Sequence, residues 1–189
     1  MKKIVVKKEE QDGTVFITFR FKALGQLLDL EDPAPLPEKE MTEEAEEAIA
    51  GHLDEYRVGR SASLVLELPE KDLDPTASPL ITEAVRHHFG FRQSDLTHDL
   101  TLSRREGIYS LVISLGNAFF LIWFLLYITK NEIPVDAVNV TIFLGFLTVL
   151  NWVTIWDTYE HFVYDYRNLF RQRRIYRKII TIPLEVKGY

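Results

Sequence analysis

The fold of the chain follows from two stretches, GIYSLVISLGNAFFLIWFLLYIT (107–129) and AVNVTIFLGFLTVLNWVTIW (137–156), neither of which contains a charged residue. An α-helix rises about 1.5 Å per residue, so about 20 apolar residues cross the ~30 Å hydrocarbon core of a bilayer. The polar stretch KNEIPVD (130–136) lies between them. The sequence therefore predicts transmembrane helices at 107–129 and 137–156, joined by an extracytoplasmic loop at 130–136.

Basic residues near the ends of these helices predict the orientation. Arg104 and Arg105 precede the first helix, whereas the loop has one lysine and two acidic residues. The arginines that follow the second helix include Arg167, Arg171, Arg173 and Arg174. Segments rich in Lys and Arg beside a membrane helix stay in the cytoplasm. We therefore expect a two-pass protein of the cell (inner) membrane, with both termini cytoplasmic. The arginines after the second helix are also expected to attract anionic lipid head groups of the bilayer. The alternative, which does not exclude the first, is that they dock the acidic N-terminal module, whose helix 42–57 offers a complementary face.

Composition limits the possible functions. The chain has 22 basic and 28 acidic residues, a net charge of −6, and no cysteine. Nucleic-acid binders present a basic face, so no nucleic-acid partner is expected for a chain whose first 106 residues are acidic overall. Without cysteine, disulfides, thiolate metal sites and a cysteine nucleophile are excluded. MKKIVVKKEEQDG (1–13) lacks the apolar run of a signal peptide, so the first membrane helix is expected to direct insertion.

Residues 1–93 are predicted to form an α+β cytoplasmic module, beginning with two antiparallel strands. Asp12-Gly13 lies between the β-prone runs 4–6 and 14–21, and Asp-Gly in such a position is a strong hairpin signal. SASLVLELP (61–69) predicts a further strand, ended by its proline.

Two helices are predicted within the same module. Thr42 is placed as an N-cap, and apolar residues at three- and four-residue spacing predict a helix over 42–57 with its acidic residues, Glu46 among them, on the solvent side. A second helix is predicted over about 79–89, ended by Gly90.

The segments beside the membrane helices complete the plan. Residues 94–106 are predicted to be a helical segment continuous with the first membrane helix, and residues 157–178 a basic helix that lies along the membrane interface. Residues 179–189 are β-prone, with Pro183 favouring an edge position, and this C-terminal strand is expected to be able to join the N-terminal sheet.

Several short motifs occur together in the stretch 103–186. They are Ser103-Arg104-Arg105-Glu106-Gly107, Trp156 and Glu160, Tyr164-Asp165-Tyr166, and Arg171, Arg173, Arg174 and Tyr176 before a β-prone tail. With these motifs the stretch resembles an uncharacterised family of small prokaryotic two-pass membrane proteins. The resemblance implies the two-pass topology. It implies no activity, because none is established for that family.

Polar residues within the two apolar stretches form one stripe on each helix. The residues of this intramembrane polar seam are Ser110, Ser114 and Asn117 on the first helix and Thr141, Thr148 and Asn151 on the second. Small and polar residues hold membrane helices together, so the seam is expected to join the helices. A polar pathway through several hairpins is the alternative, since polar groups at membrane depth also mark ion and solute routes. Matching depths across the loop predicts the pairs Asn117 with Thr148 and Ser114 with Asn151.

Charged residues at the cytoplasmic boundary form a second candidate cluster. Its members are Asp157, Glu160, His161 and Asp165 after the second helix, with Arg104, Arg105, Arg171, Arg173 and Arg174. Three carboxylates and an imidazole on one helical face could bind a cation, but the nearby arginines favour ion pairs, so Glu160 and Asp165 are expected to pair with arginines. His87 and His88 are adjacent on a helix and point about 100° apart, which disfavours a shared metal.

These patterns favour a membrane protein that acts by interaction. No sequence motif for phosphate binding, nucleophilic catalysis or zinc hydrolysis is present, so we expect no enzyme, no catalytic residue, no cofactor and no metal. The leading hypothesis is an oligomeric scaffold or an accessory subunit of a larger membrane complex. The alternative is a homo-oligomeric ion channel or small-solute transporter, because two helices per chain can enclose a pore only in several copies.

Overall fold

The computed structural model describes residues 4–57, 59–73, 76–134 and 138–189, and only the backbone of Asp165. The chain divides into two compact units. Met1–Leu96 and Arg171–Tyr189 form the first, named here the α+β unit, and Thr97–Phe170 form the second, named the helical unit. The α+β unit is therefore assembled from both ends of the chain.

The α+β unit contains a mixed four-stranded sheet. Its strands are β1 (Val5–Gln11), β2 (Thr14–Arg20), β3 (Ala62–Leu68) and β4 (Leu184–Gly188), in the spatial order β1-β2-β3-β4. β1 and β2 are antiparallel, while β3 runs parallel to β2 and β4 runs parallel to β3. The C-terminal strand thus does join the N-terminal sheet, at its edge.

The hairpin between β1 and β2 has the turn that its sequence predicts. Asp12 and Gly13 have φ of +50° and +75°. Positive φ at both central residues is the signature of a type I′ turn, whose twist matches that of the flanking strands. This is why a short Asp-Gly pair suffices to set the pairing of β1 with β2.

The helices and helical turns alternate with the strands along the chain. They are α1 (Leu24–Leu27), a 3₁₀ turn (Leu36–Glu38), α2 (Glu43–Asp54), a second 3₁₀ turn (Glu70–Asp72), α3 (Ala77–Lys130), α4 (Val138–Tyr159), a π-helical segment (Glu160–Asp165) and α5 (Tyr166–Thr181). Thr42 caps α2 as predicted, because its hydroxyl accepts a hydrogen bond from the amide of Ala45 at 3.3 Å.

One hydrophobic core holds the α+β unit together. Alternate residues of β2 and β3 are buried and contribute Val15, Ile17, Phe19, Leu64, Leu66 and Leu68. The helices contribute Ala45, Ile49 and Leu53 from α2, Ile81, Val85 and Phe89 from α3, and Ile175 and Ile179 from α5. Since successive side chains of a strand point to opposite faces, the three helices cover one face of the sheet.

One expectation about a helix end is wrong. Gly90 does not end a helix, because α3 continues without a break from Ala77 to Lys130. A glycine inside a helix costs only about 1 kcal/mol relative to alanine, and buried Phe89 anchors the turn beside it. Near the end of the basic segment 157–178, Ile175 is buried in the core of the α+β unit, so this part of the segment packs on protein. The position of the segment along the membrane interface stays a prediction. An amphipathic pattern does not distinguish a lipid surface from a protein surface.

The helical unit contains two apolar helices that pack side by side. These two helices belong to longer helical runs, Ala77–Lys130 and Val138–Thr181, which extend beyond the unit. Each run is long and apolar enough to cross a membrane, by length and composition. Within the helical unit, Ser110 contacts Asp157, Asn117 contacts Thr154 and Phe124 contacts Phe143. In these contacts the residue numbers of the second helix fall as those of the first helix rise, so the two helices run antiparallel, as in a hairpin.

Candidate functional site

A row of polar contacts joins the two helices of the helical unit. Ser110 is buried, and its hydroxyl donates a hydrogen bond to the carboxylate of Asp157 and lies 3.0 Å from the hydroxyl of Thr158. Further along, the side-chain amide of Asn117 donates to the hydroxyl of Thr154 at 3.4 Å. Ser114, between them, is also buried. The polar stripe predicted on the first helix thus faces the second helix.

The second helix presents a different face from the one expected. Asn117 pairs with Thr154, one and two-thirds turns from the expected Thr148. The hydroxyl of Thr148 instead donates to the carbonyl of Leu144 in its own helix, at 2.8 Å. Leu147, Asn151, Thr154 and Thr158 lie at i, i+4, i+7 and i+11, and this row faces α3. Asn151 belongs to both rows, and its Oδ1 is buried without a hydrogen-bond partner among the described residues.

Thr141 and Thr148 lie on an exposed face of α4. Gly145 lies between them in the same stripe, and open space surrounds the position that its Cβ would occupy. All three residues are exposed. They form an exposed stripe of small residues.

Gly107, at the start of the first apolar stretch, lies close to the ring of Phe162. A Cβ on Gly107 would lie 3.1 Å and 3.2 Å from two ring carbons of Phe162, which belongs to the π-helical segment. Few real Cβ atoms have neighbours this close, so the position accepts glycine and resists larger residues. The structure thus gives a packing reason for the glycine in the Ser103–Gly107 motif.

Among the described boundary residues, an aspartate and a histidine of the second helix lie close together. Asp157 Oδ1 lies 3.8 Å from His161 Nε2, one turn away on the same helix. Glu160 is exposed, and no ion pair joins it to an arginine within the described residues. The side chain of Asp165 lies outside the described residues, so its predicted pair stays a prediction. Arg104 and Arg105 are exposed, and Arg173 is half-buried.

Arg171 forms an ion pair with a residue of the acidic helix α2. Its Nε donates to Asp54 Oδ1 of α2 at 2.6 Å, and one terminal nitrogen lies 3.4 Å from the carbonyl oxygen of Asp54. Both residues belong to the α+β unit. This arginine thus joins α5 to the C-terminal end of α2.

A buried polar cluster lies inside the α+β unit, where α2, α3 and α5 meet. Its centre is Glu46, which is only 8% exposed. One carboxylate oxygen of Glu46 accepts hydrogen bonds from His88 Nε2 at 3.0 Å and Arg92 Nε at 3.1 Å. The other accepts a hydrogen bond from the hydroxyl of Tyr176 at 2.8 Å. Three helices are thereby tied to one carboxylate.

The hydrogen bonds fix the tautomer of His88. The backbone amide of Met41 can only donate, and it lies 3.2 Å from His88 Nδ1, so Nδ1 accepts. The ring proton is therefore on Nε2, where it is donated to Glu46. Both ring nitrogens are used, so His88 is not a free general base or metal ligand. His87, its neighbour, is exposed.

The cluster changes the acidity of two of its members. Burial raises the pKa of Glu46, but hydrogen bonds from His88 and Tyr176 and the charge of Arg92 outweigh it and lower the pKa from 4.5 to about 2. Burial, and then the hydrogen bond to Glu46, raise the pKa of Tyr176 to about 12. Glu46 is therefore ionised and Tyr176 protonated at neutral pH, which is what their hydrogen bonds need.

Sequence reasoning placed Glu46 on the solvent side of its helix, which is wrong. Glu46 precedes Ile49 by three residues and Leu53 by seven, so it lies on the buried face of α2. This spacing indicates a buried position, whereas the general preference of glutamate for solvent indicates an exposed one. His88 and Tyr176 lie 42 and 130 residues away in sequence, beyond any local pattern.

Surface grooves of the described residues are further candidate sites. A groove of about 350 Å³ in the helical unit is lined by Trp152, Ile155, Trp156, Tyr159 and Tyr164. One of about 270 Å³ in the α+β unit is lined by Arg174, Arg177, Lys178 and Thr181. One of about 220 Å³ between α2 and α5 is mainly acidic and is lined by Glu46, Glu47, Ala50, Gly51, Asp54, Gln172, Ile175 and Tyr176. Within the described residues, no three His, Asp or Glu side chains are grouped to hold a metal ion.

Comparisons with known proteins add no relative. No protein-family model matches the chain, and neither the curated proteins nor the solved structures give a match. The resemblance to small two-pass membrane proteins therefore stays an expectation. The functional argument depends on the geometry of this chain alone.

Proposed function

We propose that the chain is a two-pass integral membrane protein that acts as an oligomeric scaffold or as an accessory subunit of a larger membrane complex. In this proposal α3 and α4 cross the membrane as a hairpin, and the α+β unit lies in the cytoplasm, where it contacts partner proteins. The proposal includes no catalytic chemistry of its own.

The observation that carries the proposal is the exposed apolar surface of the helical unit. Phe119, Leu126 and Trp152 are 72%, 65% and 66% exposed, and they represent many large apolar side chains along both helices. Monomeric soluble proteins rarely expose apolar patches beyond a few hundred Å². Lipid covers such a surface without cost, because acyl chains are as apolar as leucine.

The proposal of oligomers is supported by the exposed stripe of α4. Thr141, Gly145 and Thr148 are small and exposed and lie on one face of α4. In membranes, small residues at this spacing let two helix backbones approach closely. A second copy of the chain, packed stripe against stripe, satisfies this geometry.

Mass determination in a mild detergent tests the oligomer. We expect the wild-type protein to have a defined mass of more than one chain by light scattering or native mass spectrometry. Gly145→Leu fills the stripe and is expected to shift the mass toward a single chain. Gly116→Leu is the matched control, since Gly116 of α3 also has open space around it. A single-chain mass for the wild type would contradict the oligomer.

The alternative function, a homo-oligomeric channel or transporter, is favoured by the same stripe in one respect. Thr148 places a hydroxyl on an exposed face at membrane depth, where polar groups can line a pore. The channel or transporter predicts ion or solute flux across the membrane, and the scaffold predicts none. Selective ion or solute flux through protein reconstituted in liposomes, lost in Thr148→Val, would replace the scaffold with a pore.

A further inference from the structure

The basic groove of α5 differs in charge from the rest of the protein. Arg174, Arg177, Lys178 and Thr181 line it and lie at i, i+3, i+4 and i+7, so they share one face of the helix. Three of the four are cations, in a chain whose net charge is −6. All four belong to the α+β unit.

Lys178 is an unusual member of the groove because it is buried. The residue is 8% exposed, and its Nζ donates to the carbonyl oxygens of Arg60 at 2.7 Å and Arg57 at 3.4 Å. Both acceptors are neutral, and no carboxylate pairs with Lys178 within the described residues. An ammonium group has three N–H donors, so one donor remains beyond these two bonds. Burial lowers the pKa of Lys178, as expected for a cation held away from water by neutral groups.

Arg177 provides a second donor group. It is exposed, and within the described residues no carboxylate forms an ion pair with it. A guanidinium offers parallel N–H groups that match two oxygens of one phosphate. Thr181 adds no donor, because its hydroxyl proton is used by the helix carbonyls of Arg177 and Lys178, at 3.2 Å and 3.0 Å.

We propose that this groove binds a phosphate group, with Arg177 and Lys178 as hydrogen-bond donors and Arg174 adding positive charge. A phosphate monoester carries close to two negative charges and has three acceptor oxygens. It can therefore bind several cationic side chains at once, and it suits this groove better than a carboxylate, which carries one charge. The same chemistry is present in the head group of an anionic phospholipid and in a soluble phosphate compound. The lipid source rests on the proposed membrane function, whereas the soluble source does not.

Binding measurements on the full chain in a neutral detergent test the site. The first probe is inorganic phosphate, followed by calorimetry, and the second is phosphatidic acid, followed as retained lipid by native mass spectrometry. We expect Arg177→Gln to weaken binding of the preferred probe by about tenfold or more, the loss of one charge-assisted pair of bonds. Arg177 is exposed, so this variant is expected to fold.

A matched variant and a second substitution complete the design. Arg86→Gln removes the same charge from an exposed position of α3 and is expected to leave binding unchanged. Lys178→Met is expected to weaken binding as well, with folding checked by hydrogen exchange of β3.

The outcomes separate the two sources. Phosphate binding that depends on Arg177 indicates a soluble ligand, and phosphatidic acid binding that depends on Arg177 without phosphate binding indicates a head group. Binding of neither probe, or binding that Arg177→Gln and Arg86→Gln weaken equally, overturns the site. Neither result bears on membrane insertion, which is tested separately by extraction of the protein from membranes.

Discussion

At the scale of single residues, Glu46 shows how a charge is kept inside a small core. An ionised carboxylate is costly to bury unless hydrogen bonds replace its water. His88, Arg92 and Tyr176 supply such bonds. Because α2, α3 and α5 each contribute, the carboxylate also fixes the positions of three helices against one another within the α+β unit.

This cluster predicts a specific loss of stability in acid. The pKa of Glu46 is lower in the folded state, about 2 against 4.5, so its stabilisation is complete above pH 4.5 and disappears as the pH falls toward 2. A shift of this size corresponds to about 3 kcal/mol. We expect the free energy of unfolding of the α+β unit to fall by about this much between pH 4.5 and 2.

Two variants isolate that effect. Glu46→Gln should remove the extra acid dependence, while Glu47→Gln, an exposed neighbour, should keep it. Hydrogen exchange of β2 and β3 peptides as a function of pH measures the stability of the unit. An acid dependence that is equal in wild type and Glu46→Gln would show that Glu46 does not stabilise the fold in this way.

At the scale of elements, Gly107 and Gly116 of α3 should respond oppositely to the same substitution. Alanine favours a helix over glycine by about 1 kcal/mol, and the Cβ of Gly116→Ala meets nothing within 4 Å. The Cβ of Gly107→Ala meets the ring of Phe162, and overpacking costs about 1–3 kcal/mol. We expect Gly107→Ala to be less stable than Gly116→Ala by about 1 kcal/mol or more.

Tryptophan fluorescence gives a selective readout of that comparison. The three tryptophans, Trp123, Trp152 and Trp156, all lie in the helical unit. Unfolding by SDS in mixed micelles can therefore be followed in this unit alone. Equal stability of the two variants would mean that the Phe162 ring moves aside freely.

The register of the two apolar helices gives a second prediction at this scale. The chain has no cysteine, so introduced pairs report without background. A short thiol cross-linker should join Asn117→Cys to Thr154→Cys, because these side chains are in hydrogen-bond contact. It should fail with Asn117→Cys and Thr148→Cys, since Thr148 lies on another face of α4. The reverse result would support the register expected from the loop.

Some elements could be predicted from sequence because their signals are local. Each apolar stretch runs for about 20 residues without a charge, which is the length that crosses a bilayer. Asp12 and Gly13 accept the positive φ that their turn requires. The face of α4 that meets α3 could not be predicted, because lipid and a partner helix are almost equally apolar and hydrophobicity does not distinguish them. The cluster at Glu46 could not be predicted because its partners are distant in sequence.

At the scale of the whole molecule, the sequence and the structure describe a chain with two surfaces of opposite character. The α+β unit closes its own core, while the helical unit leaves large apolar side chains exposed along both helices. The proposed membrane function accounts for both facts, because lipid would surround the helical unit and water the α+β unit. We propose in addition that both ends of this two-pass protein lie on the cytoplasmic side, as the basic residues beside the helices predict.

Labelling of single cysteines in intact spheroplasts tests this claim most directly. Asn131→Cys lies in the turn after α3, and Glu185→Cys lies on exposed β4. We predict that a membrane-impermeant maleimide labels Asn131→Cys in intact spheroplasts and Glu185→Cys only after permeabilisation, with the protein retained in the membrane after alkaline extraction. Release of the protein by alkali, or equal labelling of both positions before permeabilisation, would contradict the two-pass topology.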